Sequence, residues 1–165
     1  MELSNRVFDE LVVGDSAQLR RLVTQDDLYV FAASSGNYNP LHLMEMTSTG
    51  ESQASGPVAP GMFVASMISA VLGTQLPGAG AMYLNQTLDF HDRVHAGQEL
   101  LCRVQVLEKL SQGVVRLSTM VHRLPDEALI VSGEARMLAP QVKIHLKDVD
   151  VPAWWCSDID TLKPS

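Results

Sequence analysis

Apolar and polar positions alternate in three different ways along the chain. Leu28, Phe31 and Ala32 recur at i, i+3 and i+4 behind Thr24 and the acidic pair Asp26-Asp27. A hydroxyl at the N-cap and carboxylates in the first turn satisfy the electropositive end of a helix, so a helix is predicted over 25–34, stopped by Gly36. Met62 to Leu72 is different: it is apolar nearly all round, with only Ser66 and Ser69 interrupting it. Pro60 and Gly61 open this run and Gly73 closes it, which is the usual asymmetry of helix ends. A helix with so little polar surface has to be buried on most sides. It is far shorter than the roughly 18 apolar residues that a membrane span needs.

The third pattern has period two. A short strand is predicted from Ser16 to Val23, and longer ones over 82–90, 99–110, 114–123 and 128–138. Ser111-Gln112-Gly113 and Pro125-Asp126-Glu127 break the alternation, and such short links predict an antiparallel meander. One buried helix followed by long antiparallel strands predicts an α+β domain whose sheet curls around the helix. Past Pro140, Val142, Ile144 and Leu146 alternate with Lys143, His145 and Lys147, and the tail continues to Trp154-Trp155. The chain therefore divides into a domain over 1–140 and an extension over 141–165 that packs on the domain or on a partner.

Composition narrows the partners. The 165 residues are 46% apolar and 19% charged, which suits one folded domain. Twelve basic and 19 acidic side chains give a net charge of −7, which argues against nucleic acid or an anionic membrane as the main partner. The N-terminus has no apolar stretch of the signal-peptide kind, and Cys102 and Cys156 are too few for a disulfide framework. A reducing, cytoplasmic setting is expected.

Candidate chemistry concentrates between Ser34 and His42. His42 is the leading acid–base candidate, because an imidazole ordinarily titrates near neutrality. The alternative is that this Asn- and Pro-rich segment is only a structural turn. His91 and His95 are four apart on extended chain, and His122 and His145 alternate within strands, so no metal site is expected. Met62, Met67 and Met82 read as core or pocket lining.

The segment Ser35-Gly36-Asn37-Tyr38-Asn39-Pro40-Leu41-His42 resembles the S-G-D-x-N-P-x-H motif of MaoC-like (R)-specific enoyl-CoA hydratases and dehydratases. The similarity continues through Gly61-Met62, Ser69, 72–80, Tyr83 to Phe90 and Val94-His95-Ala96-Gly97-Gln98, so it covers roughly residues 6–140. Asn5 to Leu11, with the exit Leu138-Ala139-Pro140, is also similar to the MaoC-like domain found fused ahead of phosphate acyltransferases. With 165 residues there is no room for an acyltransferase, so the hydratase-like domain is expected alone.

The resemblance implies a hot dog fold, a long central helix wrapped by a curved antiparallel sheet, and a homodimer with an acyl-CoA pocket at the subunit interface. It implies water addition across an enoyl thioester of fatty-acid metabolism, without a cofactor. His42 and Asn37 would take the places of the motif's catalytic His and Asp. Gly61 would supply the backbone N–H that polarises the thioester carbonyl, and Asn39 would orient the turn or the water. Ser69 matches a family serine near the site; read alone, its hydroxyl bonds back to a helical carbonyl.

Two departures stand out. A carboxamide at Asn37 positions a water but exchanges no proton at neutral pH. Losing one acid–base group costs roughly 10²–10⁴ in rate. The second reading is therefore a catalytically impaired thioester-binding module, or an inactive subunit paired with an active one. Pro60 also stands where the family usually has His. Five cations, Arg93, Arg103, Lys109, Arg116 and Arg123, lie on or beside the predicted strands and could meet the phosphates of CoA; which of them face a ligand is not legible in sequence.

Overall fold

The computed structural model describes residues 2–43 and 56–147. Trp154, Trp155 and Cys156 lie outside the described residues. In chain order the elements are β1 (Leu3–Ser4), β2 (Ser16–Leu22), α1 (Gln25–Ser35), α2 (Pro40–Leu43), α3 (Gly61–Thr74), β3 (Met82–Gln86), β4 (Asp89–Phe90), β5 (Glu99–Lys109), β6 (Val114–Leu124), β7 (Leu129–Leu138) and β8 (His145–Leu146). No helix is long and apolar enough to cross a membrane among the described residues.

The antiparallel sheet runs in the order β2-β5-β6-β7-β3, with β4 also on β7. Its period-two alternation sends Leu100, Cys102, Val104 and Val106 of β5 to the inside, with Val115, Leu117 and Val121 of β6. These meet Phe63, Val64, Met67, Ile68, Val71 and Leu72 of α3, each worth about 1.5–3 kcal/mol when removed from water. Ile130 and Val131 are neighbours in β7 yet both buried, because the β6–β7 register shifts at Val121/His122. Burial also pushes the Cys102 thiol up to about 12, so it is an inert core group.

One expectation needs correction. The run 82–90 is not one strand in a meander: it breaks between β3 and β4, and both pair with β7 rather than β5. The link to β5 crosses the start of α3, where Val94 is buried and its carbonyl accepts from Ala59 N–H at 2.7 Å. That crossing puts β3 on the far edge. The helix α3 is buried on its core-facing sides, as its apolar run predicts, while Met62, Ser66, Ser69, Gly73 and Thr74 are exposed on one face. Met82 lies exposed as well, together with Tyr83 and Leu84, on the outer edge of the sheet.

The N-terminus is tied into the structure. Asn5 is buried and donates from Nδ2 to the carbonyls of Ala79 and Val142, each at 2.9 Å. Its Oδ1 accepts from Ile144 N–H at 2.9 Å. Beside this junction β1 pairs with β8.

Candidate active site

The motif loop is built by short polar side chains that turn the backbone on itself. Thr24 caps α1 and forms a reciprocal pair with Asp27, and Gly36 ends the helix with φ 74°, a conformation that suits glycine. Ser35 Oγ then accepts from Asn37 N–H at 3.2 Å, Asn37 Oδ1 from Asn39 N–H at 3.3 Å, and Asn39 Oδ1 from Leu41 N–H at 3.1 Å. Each is a local side-chain-to-backbone bond of the kind that competes with helix and favours turns. Pro40 opens the single turn α2, where its missing N–H costs nothing, and α2 carries His42.

His42 is held from both sides of its backbone and by its ring. Its N–H donates to Asn39 O at 2.9 Å, and Val58 N–H donates to Leu41 O at 3.1 Å. The ring Nδ1 lies 2.7 Å from Val58 O. A carbonyl only accepts, so this contact assigns the proton to Nδ1 and leaves Nε2 with a free lone pair in the neutral ring.

His42, Val58, Gly61, Phe90, Asp92 and Arg93 line a pocket of about 220 Å³. Val64, Val94 and Ile130 supply apolar wall. Gly61 opens α3, and the first intrahelical bond is from Val64 N–H to Pro60 O at 3.2 Å, so the three preceding N–H groups stand ahead of the ladder. A helix start is electropositive and favours negative charge. A Cβ there would stand 2.8 Å from the Phe90 ring, so any larger residue would push that exposed ring aside.

The pocket thus brings together His42 and Gly61. Asn37 and Asn39 do not line it; both are exposed and their oxygens serve the turn. Ser69 is exposed, two turns further along α3 and outside the pocket. Ser66 Oγ donates back to Phe63 O at 2.6 Å, whereas Ser69 makes no such bond among the described residues.

Phe90, Asp92 and Arg93 were not legible as a pocket wall, although Arg93 was among the cations beside the strands. Arg123 braces this wall: Nη1 donates to Asp92 Oδ2 at 3.0 Å and to Arg93 O at 3.1 Å, while Nη2 donates to Asp126 at 2.7 Å. The Arg93 backbone N–H, ahead of the Arg123 guanidinium, holds the Asp92 carboxyl below its ordinary range. Arg123 does the same for Asp126.

A larger concavity of about 580 Å³ lies on the other face of the sheet, lined by Ser16, Gln18, Arg103, Gln105, Ser118 and Met120 among others. It has neither imidazole nor carboxylate, so volume does not make it the reacting site. No group of three or more His, Cys, Asp or Glu placed to hold a metal ion occurs among the described residues.

A family model described as MaoC like domain matches residues 13–123, which contain His42, Gly61, Phe90 and Arg93. The chain belongs to the MaoC-like domain family. Among its relatives is an (R)-specific enoyl-CoA hydratase from Rhodospirillum rubrum, 39% identical over 140 residues, with 81% of this chain and 91% of that protein covered. A 3-hydroxybutyryl-CoA dehydratase from Methylorubrum extorquens is 34% identical over 140 residues, covering 85% of this chain and 88% of the relative. Among solved structures, the R-hydratase PhaJ1 from Pseudomonas aeruginosa superposes with a TM-score of 0.84 at 36% identity. It covers 92% of this chain and 97% of its own. The MaoC-like chain has the hot dog fold, with α3 as the central helix.

Proposed function

We propose that this protein adds water to, or removes it from, an enoyl/3-hydroxyacyl thioester carried by CoA, with His42 as its acid–base group. The observation that carries this reading is the His42 ring: Nδ1 is engaged by Val58 O, so Nε2 is left for chemistry, in the same pocket as the start of α3. In the hydration direction, the oxygen of a water bonds to C3 of the enoyl group and one water proton passes to His42 Nε2. The C2=C3 π electrons move toward the thioester oxygen, where the Gly61 N–H and the helix start stabilise the enolate charge. His42 then returns a proton to C2, and atoms and charge balance.

Asn37 takes no proton in this scheme. Its role is to shape the turn that delivers His42, with Asn39, and Ser69 borders the acyl chain from the exposed face of α3. We further propose a homodimer, in which a partner covers the edge of β3 and that face and so completes the acyl site. Exposed Met62, Met82, Tyr83 and Leu84 support this, since an apolar sheet edge left open invites pairing. The unpaired, buried Cys102 suits a cytoplasmic setting.

Asn37 also favours the second reading, an impaired thioester-binding module or inactive subunit. Hydration of crotonyl-CoA removes the conjugated enoyl absorbance and separates the two. Turnover by the wild-type protein supports the enzyme; no turnover, with a large gain in Asn37→Asp, supports the module.

A further inference from the structure

The net charge of −7 sits awkwardly with a substrate that carries phosphates, unless positive charge is gathered at the site. Five cations lie on or beside the strands, and the structure sorts them. Arg116 is taken by Glu108 and Glu134, each at 3.0 Å. Arg123 is taken by Asp92 at 3.0 Å and Asp126 at 2.7 Å. Lys109 lies 4.6 Å over the Phe8 ring centroid. Arg93 and Arg103 form no salt bridge among the described residues, and only Arg93 lines the pocket that holds His42. Arg103 lies on the opposite face of the sheet.

Arg93 does not owe this position to chance packing. Its carbonyl is gripped by Arg123, and its N–H donates to Asp92 Oδ1 at 2.7 Å, so the backbone of the turn is fixed on both sides. Arg123 also neutralises Asp92, the one carboxylate on the pocket wall among the described residues. Among the described residues, the charge at this rim without an ion-pair partner is the exposed guanidinium of Arg93.

We propose that Arg93 is the residue that recognises a phosphate of the substrate's carrier arm, with Arg123 as the positioning residue that presents it. The proposal rests on the thioester reading above and adds to it a specificity determinant. A guanidinium offers two parallel N–H donors that match a phosphate, and it stays charged at any working pH. The shared chemistry is a 4′-phosphopantetheine arm, which is extended by 3′-phospho-AMP in CoA and by a protein in an acyl carrier.

Three crotonyl thioesters test this: those of pantetheine, 4′-phosphopantetheine and CoA. The reading is kcat/KM for each phosphorylated ester divided by that for the pantetheine ester, which cancels changes in the chemical step. Arg93→Ala is expected to lower the CoA ratio about tenfold, mainly through KM, while Arg103→Ala, with the same loss of charge, keeps the wild-type ratio. An equal fall with the phosphopantetheine ester assigns the contact to the phosphate shared with carrier proteins. A fall confined to CoA assigns it to the 3′-phospho-AMP that CoA carries beyond that phosphate. An unchanged ratio in Arg93→Ala, or an equal fall in Arg103→Ala, overturns the proposal.

Calorimetric titration with CoA itself gives a reading that needs no turnover. Weaker binding by Arg93→Ala than by Arg103→Ala upholds the proposal even in a protein that hydrates nothing, a result that would remove only the hydratase reading. Equal affinity in the two variants, or a wild-type protein that does not bind CoA, overturns it.

Discussion

Phe90 lies across the α-carbon of Gly61, so close that a methyl group at Gly61 would stand 2.8 Å from the aromatic ring. One residue opens the central helix and the other ends a two-residue strand on β7, and both wall the pocket that contains His42. The contact narrows the pocket at the helix start, where the proposed mechanism brings the thioester carbonyl.

Gly61→Ala is expected to displace Phe90 and so to disturb the pocket. The ring is exposed and can rotate away, so stability should change by less than about 1 kcal/mol. Misplacement of a carbonyl by an ångström is costly for reaction, and kcat/KM for crotonyl-CoA should fall ten- to a hundredfold. The double variant Gly61→Ala/Phe90→Ala should regain part of that loss, because the clash is then absent. Steady-state kinetics beside thermal melts will show whether activity and stability part in this way.

Asn5 is expected to matter far more for folding than its place near the terminus suggests. Asn5→Ala removes three side-chain hydrogen bonds and leaves the carbonyls of Ala79 and Val142 and the N–H of Ile144 without them. A buried group left unsatisfied costs about 1–3 kcal/mol, so a loss of roughly 2–4 kcal/mol is predicted in urea unfolding. A change below about 0.5 kcal/mol would mean that the terminal clasp opens freely in solution.

Acid should destabilise the fold. Asp15 is held below its ordinary carboxyl range by Arg6, Asp126 by Arg123, Glu99 by Arg20, and Asp92 by the Arg93 backbone N–H followed by Arg123. A carboxyl whose folded pKa is depressed adds stability above its unfolded value, and that contribution disappears as pH falls through the folded value. The melting temperature should therefore hold steady from neutrality downward and drop once pH passes below about 4, where unfolded carboxyls begin to bind protons. These pairs are largely exposed, so added salt should shrink the effect. A melting temperature that rises on acidification would contradict this reading of the pairs.

Much of the architecture was legible because it is local. The N-cap at Thr24 and the Pro60–Gly61 opening locate α1 and α3, and the two short links delimit β5, β6 and β7 within a residue or two. What was not legible depends on contacts between distant segments. No pattern in Met82 to Phe90 says that the segment will bend and join β7 across from β5. The apolar run Met62 to Leu72 predicted burial of α3 on most sides, but not that Met62, Ser66, Ser69, Gly73 and Thr74 would share one exposed face. The site divided in the same way. The Asn-Pro turn identified His42, whereas its partner Val58, sixteen residues on, and the Phe90–Arg93 wall come from tertiary structure alone.

The central claim is that His42 moves the proton in a hydration reaction, and the most direct measurement is the decay of enoyl absorbance when crotonyl-CoA meets the wild-type protein and His42→Ala. The account predicts turnover by the wild type and a loss of about 10²–10⁴ in kcat for the variant, which should still melt as a folded protein. Wild-type turnover that survives His42→Ala, or a wild-type protein that binds crotonyl-CoA and leaves its absorbance unchanged, would contradict it.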